Sequence, residues 1–192
     1  MVDIRLAPES AFKGCDLPFA AGGVMLVERP HALMVTVAAY AGAMLDTSLI
    51  CRDVTGLNLP EAGRWSASAA WEIAYSELDA WCLWGPQEGL AELAEALEPH
   101  AAVTDQSSGF AGLRIAGDSA AAVLARLTPI DLRPNAFPNG HAARTEIAHM
   151  SGLILARDEG YDIWVARSFA RTLHHDLTEA MKSVGALAAD RL

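Results

Sequence analysis

The segment TPIDLRPNAFPNGHAARTEIAH, residues 128–149, collects an aspartate, two histidines and three prolines in a loop-like sequence. Asp131, between two apolar residues, is a candidate general base, because burial raises the pKa of a carboxyl group. An aspartate before Arg-Pro-Asn is also typical of turns, where its side chain binds the backbone two residues on. We favour the turn.

Other reactive side chains lack the spacing that chemistry needs. Ser151 follows His149 by two residues, and strand alternation would put both on one face without a strained elbow or a third orienting group. His174 and His175 are adjacent on a predicted helix and point about 100° apart, so they do not suit one ion. No C-x-x-C, H-E-x-x-H or glycine-rich phosphate loop occurs. We expect no catalytic residue, no cofactor and no metal on this chain.

The charge distribution limits the possible partners. The 192 residues are 52% hydrophobic and carry a formal net charge of −10. Residues 1–100 hold 14 Asp or Glu against 5 Lys or Arg, and residues 65–113 hold no cation at all. An acidic surface repels phosphate backbones, so we expect no nucleic-acid partner and place any basic docking surface in the second half.

The cysteines and the chain start indicate the compartment. Three widely spaced cysteines with no secretory leader favour reduced thiols. The first residues, MVDIRLAPESAFKG, lack the apolar run of a signal peptide, and the longest apolar stretch there is too short to cross a bilayer. We expect a cytoplasmic protein that does not enter a membrane.

The first half alternates strand and helix patterns. Residues 33–39 read as a strand, and a helical repeat of apolar residues then ends at Gly56. That repeat is Ala41, Met44, Leu45, Ser48 and Leu49. Residues 70–76 and 80–84 predict a hairpin, and an amphipathic helix follows from Pro86 to Pro99, with glutamates on its outer face.

The second half repeats this order. Residues 110–117 predict a strand, Asp118 or Ser119 caps a helix, and three strands follow at about 143–149, 152–157 and 161–166. A long helix begins at Ser168 and stops at Gly185. Its inward residues are Phe169, Leu173, Leu177, Met181 and Val184.

These patterns predict an α+β protein of two ferredoxin-like β-α-β-β-α units with antiparallel sheets. We divide it into an N-terminal arm, 1–23, a first α+β unit, 24–106, and a second α+β unit, 107–192.

Residues 100–182 carry motifs that resemble a known family. Their order is similar to that of the gamma subunit of heterotetrameric sarcosine oxidase, a distant relative of the glycine-cleavage aminomethyltransferase fold, which binds folate. The motifs are Asp105 with Ser107, Gly117–Leu124, Pro129–Leu132, Ala136–Gly140, Arg144 with Thr145, and Arg167–Arg171. A weaker match lies in GLNLPEAGR and LWGPQEGL, where Gly89 replaces a family tryptophan. The stretch MSGLILARDEG lacks the paired acids of folate-using members.

The resemblance implies a cofactor-free auxiliary subunit, with an aminomethyltransferase-like, folate-binding-domain-like architecture. Alpha, beta and delta subunits are the implied partners, and they would carry NAD, FAD, FMN, tetrahydrofolate and zinc. The implied complex demethylates sarcosine to glycine, with hydrogen peroxide and formaldehyde or 5,10-methylenetetrahydrofolate as products.

Three alternatives stay open at this stage. The first is a gamma-like subunit of a related demethylase acting on N-methylglutamate or other methylated amines. The second is a free-standing tetrahydrofolate-binding protein, and the third is a homodimeric adaptor. We expect a basic face of the second half to make more intersubunit ion pairs than the acidic helix 86–98. The candidate interface residues are Arg133, His141, Arg144, Arg167 and Arg171.

Overall fold

The computed structural model describes residues 9–29 and 33–189. Residues 1–8 of the predicted arm and 190–192 of the predicted second unit lie outside the described residues. In chain order the elements are β1 (Phe19–Ala21), β2 (Val24–Glu28), β3 (Leu33–Ala39), α1 (Met44–Thr55), β4 (Trp65–Ala67), β5 (Glu72–Glu77), β6 (Ala80–Gly85), α2 (Gln87–Leu97), β7 (Ala101–Asp105), β8 (Phe110–Ala116), α3 (Ala120–Leu124), β9 (Ala142–Ile147), β10 (Met150–Arg157), β11 (Gly160–Ala166) and α4 (Ala170–Ala189).

The strands form two antiparallel sheets. One has the order β4-β5-β6-β3-β7 and the other β1-β2-β8-β11-β10-β9. Strand by strand, β4-β5-β6-β3 of the first sheet corresponds to β9-β10-β11-β8 of the second. The predicted α+β class with two similar units and antiparallel sheets is therefore confirmed, and the predicted hairpin and the three predicted late strands form close to their expected positions.

Three apolar clusters arrange these elements in four layers. Helices α1 and α2 pack on the outer face of the five-stranded sheet, for example through Cys51 and Leu93. Helices α3 and α4 pack on the outer face of the six-stranded sheet, for example through Val123 and Leu177. The inner faces of the two sheets meet in a third, smaller cluster: Met34, Ala74, Cys82, Trp84, Ala142, Leu153, Leu155 and Trp164.

Strand β2 belongs by its hydrogen bonds to the six-stranded sheet. Leu26 of β2 pairs with Ile115 of β8, and both side chains lie in the cluster beneath α4. The predicted first unit begins at residue 24, so it includes β2, although β2 pairs within the six-stranded sheet of the second unit. The unit boundaries stay a prediction.

The buried face of α1 is not formed by the residues of its helical repeat. Thr47, Cys51 and Thr55 face the core, whereas Leu45 is 70% exposed. The buried hydroxyls are satisfied, because Thr47 Oγ1 donates to the carbonyl of Ala43 at 2.9 Å and Thr55 Oγ1 to that of Cys51 at 2.6 Å. The apolar repeat of the sequence therefore faces outward. The predicted end at Gly56 is confirmed by its left-handed φ of 72°.

The last helix corrects two expectations. Phe169 is 44% exposed rather than inward, because it lies in a 3-10 turn that precedes α4. Gly185 does not end the helix, which continues to Ala189. A glycine is needed there because Gly185 packs against Gly22, which is far away in sequence. A Cβ added at Gly185 would lie 3.0 Å from the Gly22 Cα.

Gly89, which replaces a family tryptophan, lies under the ring of Trp71. A Cβ added at Gly89 would lie 2.6 Å from Trp71 Cζ2, and one added at Gly85 would lie 2.3 Å from Trp71 Cε3. Trp71 is 6% exposed and packs in the cluster with α2. One bulky ring therefore fills the space beside two glycines.

We expect Gly22→Ala to destabilise the protein more than Gly42→Ala. Both glycines have left-handed φ values, 62° and 82°, so each alanine costs about 1–2 kcal/mol of backbone strain. At Gly22 the new Cβ also lies 2.8 Å from the carbonyl oxygen of Met181, whereas at Gly42 nothing lies within 4 Å. Overpacking of that kind adds about 1–3 kcal/mol. Equal losses of unfolding free energy in urea would contradict the close approach of the arm to α4.

Candidate functional site

A wholly buried carboxylate lies at the inner face of the six-stranded sheet. Asp162 is 0% exposed, because strand alternation in YDIWVA turns Tyr161 and Ile163 toward the helices and Asp162 toward the other sheet. Its cross-strand neighbour on β8 is Arg114. Arg114 binds it in a bidentate manner, with Nε 2.6 Å from Oδ1 and Nη2 3.0 Å from Oδ2.

Two more arginines converge on the same carboxylate. Arg157, at the end of β10, places Nε 2.7 Å and Nη2 2.6 Å from Asp162 Oδ2. Arg29, just after β2, places Nε 3.3 Å from Oδ2, without the alignment of a hydrogen bond. A buried carboxylate needs such partners, because an unpaired charge in the interior is very costly.

Glu72 of β5 extends this network to the other sheet. Its Oε2 accepts from Arg29 Nη2 at 3.0 Å and from Arg157 Nη2 at 2.8 Å. The Arg157 guanidinium also lies 3.8 Å from the ring centroid of Trp65, on β4. Arg157 thus joins β10 and β11 of one sheet to β4 and β5 of the other. We call Arg29, Glu72, Arg114, Arg157 and Asp162 the inter-sheet network.

The inter-sheet network is suited to holding structure rather than to moving protons. Three guanidinium groups face two carboxylates, and arginine does not give up its proton in proteins. The hydrogen bond to Asp162 raises the pKa of Arg114 above its usual range. Arg114 and Arg157 hold Asp162, and Arg29 and Arg157 hold Glu72, through charge-assisted hydrogen bonds, which are the strong and directional kind.

A tryptophan pair lies between the two sheets. The rings of Trp84 and Trp164 have centroids 5.1 Å apart, and both side chains are buried. Within the described part of the chain, neither indole N–H has a hydrogen-bond partner. A cleft of about 790 Å³ opens beside this region, and its lining includes Arg29, Trp164, Arg167, Asp105 and Ser107.

Asp131 is a turn residue. Its Oδ1 accepts the backbone N–H of Arg133 at 3.1 Å, and its carboxylate holds the Arg133 guanidinium at 2.5–3.0 Å. The guanidinium keeps the pKa of Asp131 at about 2, so the carboxyl group is no general base near neutral pH. The turn interpretation is confirmed.

The predicted interface residues are spread over the surface. Arg144 donates to Ser76 Oγ at 2.9 Å and so joins β9 to β5. Arg167 binds the carbonyl of Glu9, and Arg171 binds that of Lys13 at 3.0 Å, so both hold the N-terminal arm. His141 packs edge-on against Phe137, and burial together with Arg64 lowers its pKa. Their role in an interface stays a prediction.

The other candidate groups lie apart from one another. His149 occupies a two-residue turn between β9 and β10 with a φ of 70°, so it does not share a strand face with Ser151 as expected. His174 Nε2 lies 3.0 Å from the carbonyl oxygen of Asp16. Among the described residues, no three His, Cys, Asp or Glu side chains are grouped to hold a metal ion.

The comparisons with known proteins agree with this fold. The family model described as the GCVT N-terminal domain matches residues 66–190. The chain belongs to the GCVT N-terminal domain family. A comparison with curated protein sequences found no match.

Two solved structures are similar to this GCVT N-terminal domain protein. A chain of the heterotetrameric sarcosine oxidase from Corynebacterium sp. U-96, in complex with pyrrole 2-carboxylate, is similar with a TM-score of 0.82 and 23% identity. The match covers 93% of this chain and 96% of that one. The glycine cleavage system aminomethyltransferase T from Bartonella henselae is similar with a TM-score of 0.57 and 19% identity, over 79% of this chain and 44% of that one. The predicted aminomethyltransferase-like fold is confirmed.

No helix among the described residues of the domain is both long and apolar enough to span a bilayer.

Sequence reasoning missed the inter-sheet network. The signal was present, because a charged residue isolated in an apolar strand is almost never buried unless it is paired. Asp162 in YDIWVA, Arg114 in FAGLRIA and Glu72 in WEIAYS all fit that description. Their pairing was not readable from one sequence, since Glu72 and Arg157 are separated by 85 residues.

We expect Asp162→Ala to lower the free energy of unfolding by about 3–5 kcal/mol, because it leaves three buried or half-buried guanidinium groups without their shared partner. Urea denaturation followed by tryptophan fluorescence measures the change. Asp131→Ala is the matched control, since it also removes an arginine-bound aspartate but at the surface, and its urea midpoint should not move. Equal midpoints for both variants would contradict a structural role for Asp162.

We expect one fast-reacting thiol per native chain. Burial raises the pKa of Cys51 to about 12 and that of Cys82 to about 11, so both stay protonated at pH 8, whereas Cys15 is half-exposed. The thiolate is the reactive form. Titration with a disulfide reagent should therefore detect one thiol in the native protein and three after denaturation. Fast reaction of a second thiol in the native protein would contradict the burial of Cys51 or Cys82.

Proposed function

We propose that this chain is a cofactor-free auxiliary subunit, of the gamma type, in a heterotetrameric sarcosine oxidase. Its partners are the alpha, beta and delta subunits, which hold NAD, FAD, FMN, tetrahydrofolate and zinc. In the proposed reaction the N-methyl group of sarcosine loses two electrons and two protons to dioxygen, which becomes hydrogen peroxide. Glycine is left, and the carbon departs as formaldehyde after water adds to it, or as 5,10-methylenetetrahydrofolate when tetrahydrofolate takes it. We place the complex in the cytoplasm.

One observation carries the proposal: the likeness to a chain of a heterotetrameric sarcosine oxidase extends over nearly the full length of both chains. The match covers 93% of this chain and 96% of that one, so the likeness includes both sheets and their helices rather than one unit alone. By contrast, the similar aminomethyltransferase is more than twice as long as its matched part, since only 44% of it is covered.

The chemistry of this chain's own residues also supports an auxiliary role. The buried acids and arginines bind each other in the inter-sheet network. Asp131, the one acid of residues 128–141, is held by Arg133. Side chains that could have moved protons are thus engaged in contacts that stabilise the fold.

Two other functions are kept as alternatives. A gamma-like subunit of an N-methylglutamate demethylase would share this fold and differ in the substrate bound by its partners. A free-standing tetrahydrofolate-binding protein is favoured by the family match and by the cleft of about 790 Å³ beside Arg29. A folate carries negative charge, for which the cleft offers Arg29 and Arg167, although the acids Glu9, Glu28 and Asp105 line it as well.

Co-expression tests the proposal. The tagged chain is produced with the alpha, beta and delta candidates of its own organism, and native mass spectrometry of the purified product should give a four-subunit mass. The product should be yellow, because flavin is bound to the partners, and should release hydrogen peroxide with sarcosine. Turnover of N-methylglutamate in place of sarcosine would favour the related demethylase.

The contradictory outcomes are equally specific. A tagged chain that purifies alone from the same cells, as a stable monomer, would overturn the subunit assignment. Tight tetrahydrofolate binding by that monomer in calorimetry would establish the folate-binding alternative.

A further inference from the structure

Helix α1 presents an apolar surface to solvent. Leu45 is 70% exposed, Tyr40 50%, Leu49 38% and Met44 37%. Leu45 and Leu49 are four positions apart and so lie on one helix face. We call these four residues the α1 patch. Single exposed apolar residues are ordinary, but three on α1 together with Tyr40 just before the helix are typical of a binding surface.

The fold itself does not need the α1 patch. The opposite face of α1 supplies the core contacts, through Cys51 and the two buried threonines, with Ile50 and Val54 packed against the same cluster. Two threonines are buried while two leucines are exposed, which reverses the usual partition of these residue types. The exposed leucines therefore have no internal partner that accounts for them.

The surface beside the α1 patch is strongly acidic. Helix α2 packs next to α1 on the same sheet and exposes four glutamates: Glu88, Glu92, Glu95 and Glu98. Residues 65–113 contain no lysine or arginine to offset them. On α1 itself, Asp46 and Asp53 are exposed, and Arg52 lies 3.7 Å from Asp53. The apolar residues of α1 thus lie beside glutamates that no lysine or arginine of residues 65–113 offsets, whereas on α1 Arg52 faces Asp53 and His100 lies 3.7 Å from Asp46.

We propose that α1 and α2 form the docking face for a partner protein whose surface has an apolar socket flanked by arginine or lysine. The inference rests on the proposed function, in which this chain is a subunit of a larger complex. Apolar anchors surrounded by a charged rim are the usual anatomy of a specific interface.

A second copy of this chain does not fit the same face. A symmetric dimer would place acidic α2 against acidic α2, since the same patch serves both copies of a two-fold interface. Like charges facing each other oppose association, and the chain already carries a net charge of −10. The occupant is therefore a different, basic protein surface.

The arginines of the second half are less suited to docking than expected from the sequence. Arg144, Arg167 and Arg171 bind groups of this chain. Arg133 is exposed but already holds Asp131. Ion pairs across an interface would first have to break these internal contacts, whereas the α2 glutamates have none to break within the described side-chain contacts.

The test uses the alpha, beta and delta subunits purified together as a subcomplex, to which the full-length chain is added in a calorimeter. Leu45→Asp with Leu49→Asp should weaken binding by about 30-fold or more, as for truncation of interface anchors. Leu45→Ala, which keeps the helix propensity of α1, should weaken it in the same direction. Urea midpoints of the free variants should match the unmodified chain, since these leucines lie outside the core.

A second pair of variants tests the charge. Glu92→Lys with Glu95→Lys should weaken binding about tenfold at low salt and less at high salt, because exposed charges are screened. Glu159→Lys, an exposed charge reversal in the β10–β11 turn of the other sheet, is the matched control and should leave affinity unchanged.

The outcomes separate the two proposals. If the unmodified chain does not bind the subcomplex, the proposed function fails and this inference falls with it. If the unmodified chain binds and the folded α1 and α2 variants bind equally well, the docking face is wrong while the subunit role stands. Weaker binding by the Glu159→Lys control alone would place the interface on the other sheet.

Discussion

The burial of Asp162 is the constraint on which the joining of the two sheets depends. A carboxylate with no exposed surface must be surrounded by donors, and three arginines from β8, β10 and the end of β2 provide them. Two of these arginines also bind Glu72, in the other sheet. Separating the sheets would break the ion pairs of Arg29 and Arg157 with Glu72. The four layers are therefore held together by this network as well as by their apolar contacts.

Further contacts reinforce the same boundary. Trp65 donates its indole N–H to the carbonyl of Ala156 at 2.8 Å and lies against Arg157. Arg144 reaches Ser76, and Arg64 forms a backbone bridge with His141. Residues 128–141, the loop that precedes β9, therefore end in a contact between the units.

Local pattern was enough to predict most elements, because strand alternation and helical repeats are short-range properties. Predictions failed where the cause lies far along the chain. Gly185 looked like a helix stop, but it is required by the approach of Gly22. The apolar repeat of α1 indicates a helix but not its core face, which carries threonines whose hydroxyls bind carbonyl groups of the preceding turn. The pairs that join Glu72 to the other sheet are 43 and 85 residues apart, so the sequence shows isolated charges in apolar strands but not which of them meet.

The central proposal is that this GCVT N-terminal domain protein is a rigid structural part of a larger flavin-containing assembly. The most direct measurement is a cryo-electron microscopy structure of the assembly purified from its own cells through a tag on this chain. The account predicts partner chains bound against α1 and α2, with the Arg157–Glu72 pair intact between the sheets. A structure of the chain without partners, with a pteridine bound in the cleft beside Arg29, would contradict it.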